Sequence, residues 1–170
     1  TITTIGLIGM LLAACDTNKG PFNPNRIIEV NVELDPAEWD TLRYEGRSAP
    51  DALSGCAMDY EYSYFNATVT VDGETYGDVA IRKKGFLGSI SAMRPSLKIN
   101  FGKFVEDRTH AGMKRMTLNN NLQDPSNARQ CMTYDLFAQA GVVAPRCNLA
   151  KVIVNGEDLG IYTHVESIKK

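Results

Sequence analysis

The run Gly85-Phe86-Leu87-Gly88-Ser89 carries small residues at a Gly-x-x-Gly spacing that could face an anion. Small residues at Gly85, Gly88 and Ser89 let successive backbone N–H groups turn toward a negative charge. Further on, Leu97, Ile99 and Phe101 alternate with Ser96, Lys98 and Asn100, so Lys98 projects from the face opposite the apolar side. Plainer roles fit the same features: Gly-x-x-Gly spacing occurs in ordinary loops, and an alternating Lys suits a solvated strand. The basic clusters RKKG and GMKRM read as solvated strand ends. Metal binding is not indicated, because no Cys-x-x-Cys spacing exists and only His110 and His164 could join a ligand set.

The cysteines carry a second kind of chemistry. Thr1 to Ala14 is apolar, uncharged and rich in small residues, and it ends in Leu12-Ala13-Ala14-Cys15, which resembles a bacterial lipoprotein box. This reading expects lipidation at Cys15, a signal segment over 1–15 and a tether over 16–25. The product is an exported, membrane-anchored bacterial lipoprotein, periplasmic or on the cell surface, held by its lipid anchor. A short buried helix with a chance Cys is the alternative. In an oxidising space Cys56, Cys131 and Cys147 allow one disulfide and one thiol, with Cys131 and Cys147 the expected pair.

A chain of 170 residues, 44% hydrophobic and 22% charged with a net charge of −2, is long enough for one sizeable core. It lacks the basic surplus of a nucleic-acid binder, so no nucleic-acid partner is expected. Ile28, Val30, Val32 and Leu34 alternate as in a half-buried strand. Asp35-Pro36-Ala37-Glu38 opens a short helix that carries Trp39 and Leu42 inward. Residues 46–63 read as a loop or insertion. Asp72-Gly73 and Asn155-Gly156 each sit between strand-like runs as hairpin turns. Arg115 to Leu118 is another strand, and Asp124-Pro125 opens a helix with a Met132, Leu136 and Ala140 stripe that Gly141 closes. The expected fold is α+β, an antiparallel sheet of hairpins with one principal helix.

From Val79 to Glu166 the segments VAIRKKGFLGS, PSLKINF, MTLNNNLQDPSNAR, LFAQAGVVAP and VIVNGEDLGIYTHVE follow in an order that resembles the CotH kinase family. The resemblance implies a protein-kinase small lobe over 26–170, cut before its large lobe, in a longer protein. It further implies that Gly85, Gly88 and Ser89 form a phosphate-facing turn and that Lys98, with Arg82, contacts phosphate. The helix from Pro125 takes the regulatory position, and the last strand reaches a hinge at Glu166 and Ser167. Members often carry Arg-Glu where this chain has Arg129-Gln130, which puts a Lys–Glu pair in doubt unless Glu166 or another acid substitutes. ATP and Mg²⁺ are the implied cofactors and a Ser/Thr-bearing envelope or coat protein the implied substrate. The catalytic and Mg²⁺-binding acids are expected beyond Lys170, so this fragment alone is not expected to transfer phosphate. The rival function is a non-catalytic surface, adhesion or envelope-binding lipoprotein that keeps the fold.

Overall fold

The structure, a computed structural model, describes residues 20–46, 60–85 and 91–168. Cys15, Cys56, Gly88 and Ser89, with the signal segment, lie outside the described residues. In chain order the elements are β1 (Ile27–Glu33), α1 (Pro36–Tyr44), β2 (Phe65–Val71), β3 (Glu74–Lys84) and β4 (Ser96–Asn100). After these come β5 (Arg115–Asn119), α2 (Arg129–Gln139), β6 (Cys147–Val154) and β7 (Glu157–Glu166).

The strands close into a barrel in the order β1-β2-β3-β4-β5-β7-β6. All pairings are antiparallel except β6 with β1, which run parallel with Val30 opposite Val152. That pairing overturns the expected α+β small lobe. The described residues are mostly β, a closed seven-stranded barrel with two short helices among them. Closure follows from β1 meeting β2 on one side and β6 on the other, so Ile28, Val30 and Val32 point into one interior with Val69, Val152 and Val154. Closing the sheet leaves no unpaired edge.

Local signals worked where turn chemistry dictated them. Asp72 and Gly73, and likewise Asn155 and Gly156, all take positive φ in two-residue hairpin turns. The Asp35 carboxylate accepts from the Ala37 and Glu38 N–H groups at 2.8 and 3.2 Å, and Trp39 and Leu42 are buried as expected. The second helix departs from its expectation. Asn127 takes φ 56°, so residues after Asp124 form turns and α2 begins only at Arg129. Its stripe is not core either: Met132 is 68% and Leu136 63% exposed. No described helix is long and apolar enough to cross a membrane.

Lys83 contradicts its reading as a solvated strand end. It is buried, and its Nζ donates to the Arg43 and Glu45 carbonyls, both at 2.6 Å, where α1 leaves acceptors without helical partners. Lys83→Met keeps the aliphatic stem and strands both carbonyls. It should cost about 2 kcal/mol, the scale of lost hydrogen bonds to a charged group, read as a lower denaturation midpoint at unchanged slope.

The segment expected as a tether is partly docked. Phe22 stacks on His164 with ring centroids 4.5 Å apart, and the Arg146 guanidinium lies 4.6 Å from the Phe22 centroid. His164 is fully buried, its Nδ1 2.9 Å from Asn148 Oδ1.

Candidate anion-binding site

Side chains alternate across a strand, so the β3–β4–β5 wall presents one set of residues inward and another outward. Inward go Ile81, Leu97, Ile99, Met116 and Leu118, all with no exposure. Outward go Arg82 and Lys84 of β3, Ser96 and Lys98 of β4, and Arg115, Thr117 and Asn119 of β5. Register places Arg82 directly opposite Lys98, Lys98 opposite Thr117, and Lys84 opposite Ser96.

Two like charges directly opposite each other weaken a sheet. Here four cations share one wall, and none of Arg82, Lys84, Lys98 and Arg115 belongs to an ion pair among the described residues. The Arg82 guanidinium leans over the Tyr64 ring at 5.4 Å, and its buried Nε has no hydrogen-bond partner. Burial, then the charges of Arg82 and Arg115, lower the Lys98 pKa. The Lys84 ammonium is pushed down to about 8 by burial first, then by Lys98 and Arg82.

A neutral relay orients Lys84. Its Nζ donates to Asn119 Oδ1, Asn119 Nδ2 donates to Gln130 Oε1 at 2.8 Å, and Gln130 Nε2 donates to the Tyr134 hydroxyl at 3.0 Å. No carboxylate enters this chain, so it positions the charge without neutralising it. Beside it a groove of about 450 Å³ is lined by Ser96, Asn119, Asn120, Gln130 and Tyr134, among others. Such a wall can bind a multiply charged oxyanion at the cations and offer amide groups to a polar appendage.

The expected residues separate into three groups. Arg82 and Lys98 are brought together. Gly85 adjoins them, with φ 127°, a conformation suited to glycine, and its carbonyl accepts from the Tyr62 hydroxyl at 3.1 Å. Glu166 is engaged elsewhere: it accepts from Arg146 Nη2 at 2.7 Å and Nε at 3.1 Å, and these bonds hold its carboxyl below the usual range. It therefore pairs with neither Lys98 nor Arg82. Lys84, Arg115, Asn119 and Gln130 were not assigned phosphate contact from the sequence. Period-2 parity was the available signal, since Lys84 shares the face of Arg82. Among the described residues no cluster of three His, Cys, Asp or Glu side chains could hold a metal.

Residues 81–170 match the family model described as CotH kinase protein. A second similarity is to inner spore coat protein H of Bacillus subtilis (strain 168), 32% identical over 65 residues. That alignment takes in 38% of this chain and 18% of the relative, so the chain spans well under two thirds of the curated protein it matches. The family-model match begins on β3 and includes Arg82, Lys84, Lys98 and Arg115.

Proposed function

This chain belongs to the CotH kinase family, and from that premise we propose that its barrel is the nucleotide-binding part of a longer atypical protein kinase. The carrying observation is the outer wall of Arg82, Lys84, Lys98 and Arg115, which has four cations and no carboxylate paired to them among the described residues. These cations receive the phosphates of ATP, and the amide-lined groove beside Asn119 and Gln130 takes a polar part of the nucleotide. Mg²⁺ would accompany the phosphates, as the family resemblance implies, and no chemical step is assigned to it. The γ-phosphoryl group passes to Ser or Thr of a spore coat or envelope protein, with the remaining chemistry supplied outside the described residues. Lipidation at Cys15 places the protein at a bacterial membrane after export.

Calorimetric titration of ATP with Mg²⁺ tests the reading. Arg82→Ala and Lys98→Ala should each weaken binding about tenfold, roughly 1.4 kcal/mol. Wild-type affinity in both variants, or no binding by folded wild-type protein, would reject it in favour of a surface-binding protein that keeps the fold.

A further inference from the structure

We propose that the Cys131–Cys147 disulfide is a redox-sensitive clamp that holds α2 on the barrel, so that Gln130 and Asn119 keep the Lys84 ammonium facing its anion. The consequence for binding rests on the nucleotide reading above; the clamp itself does not. No residue of α2 is buried, and an isolated helix of this length is marginal in water. Its attachments are therefore few. Gln130 accepts from Asn119 on β5, and the neighbouring Cys131 is bonded to Cys147, the first residue of β6. The covalent bond thus fixes the same turn that presents Gln130.

Both half-buried cysteines line a groove of about 420 Å³ whose other walls include Phe22, Pro24 and Pro145. A thiolate of an external dithiol attacks one sulfur, forms a mixed disulfide and releases the other cysteine as thiolate. The reagent's second thiolate then displaces the protein sulfur and closes its own disulfide. Two electrons pass to the protein, and two protons end on Cys131 and Cys147. Without the bond, α2 is held mainly by Gln130 and by the Asp124 carboxylate at its first residue; Gln130 then leaves Asn119, and Lys84 loses its fixed direction.

The test compares the oxidised chain, the chain treated with dithiothreitol, and a Cys131→Ser/Cys147→Ser variant, with barrel integrity followed by circular dichroism. On reduction, the Asn119 and Gln130 side-chain amide NMR signals should move, and affinity for ATP with Mg²⁺ should fall at least tenfold. The double variant should match the reduced chain. Gln130→Ala should show the same fall while oxidised and no further fall when reduced. Unchanged amide signals in folded, reduced protein would overturn the clamp. Moving signals with no nucleotide binding in either redox state would uphold the clamp and remove the nucleotide reading.

Discussion

Lys84→Met should make the protein more stable and unable to bind nucleotide. The Lys84 ammonium is held at about 8 against an ordinary 10.5, because burial and the neighbouring Lys98 and Arg82 all oppose its charge. A depression of that size corresponds to about 3 kcal/mol of folding free energy spent on keeping the group charged. Below pH 8 the lysine is protonated in both states and the full cost applies. Between about pH 8 and 10.5 the folded protein has released the proton and the unfolded chain has not, so this group makes stability rise with pH across that window. Methionine keeps the stem and removes the charge. Denaturant titrations at pH 7 should show a gain of order 1–3 kcal/mol, with the alkaline rise abolished. Calorimetry should show nucleotide affinity reduced beyond detection. A variant no more stable than wild type would mean that the wall is not under cationic strain.

The second large effect lies on the acid side. His164 is buried between Phe22 and Asn148, and burial pushes its pKa down to about 4 from 6.5. The unfolded chain therefore binds a proton that the folded state refuses. Stability falls as pH drops from 6.5 toward 4, by about 3 kcal/mol when the window has been crossed. Carboxylates such as Glu166, held below their ordinary range by Arg146, contribute their own losses mainly at still lower pH. His164→Phe preserves stacking against Phe22 but leaves Asn148 Oδ1 without its partner. It should be less stable at neutral pH, yet nearly flat between pH 6.5 and 4. The same steep acid slope in the variant would transfer the effect to another group.

Both effects depend on placements that the sequence conveyed unevenly. Turns were legible because Asp72-Gly73 and Asn155-Gly156 impose positive φ locally, and α1 because Asp35 caps it within three residues. Barrel closure was not, because β1 and β6 are far apart in the chain and neither strand's alternation names its neighbour. The Met132 and Leu136 stripe misled for a related reason: periodicity identifies an apolar face without saying what covers it.

The site divided the same way. Arg82 and Lys98 were visible by strand parity, and register set them side by side. Lys84 was hidden within a basic run whose three residues have different fates: Lys83 caps α1, Arg82 leans on Tyr64, and Lys84 reaches Asn119. Asn119 ends β5, and that position lets it join β3 to α2. Gln130 looked like a missing carboxylate. In the fold it hydrogen-bonds an asparagine and leaves the lysine charge available.

The most direct test of the anion-binding wall is a pH titration of the lysine side chains by NMR, with and without saturating ATP and Mg²⁺. Without nucleotide, Lys84 should titrate near 8. Phosphates beside it favour the charged form, so with nucleotide bound its midpoint should move upward and Lys98 should follow. An unchanged Lys84 midpoint in nucleotide-saturated protein would contradict the account, because the phosphates would then lie elsewhere.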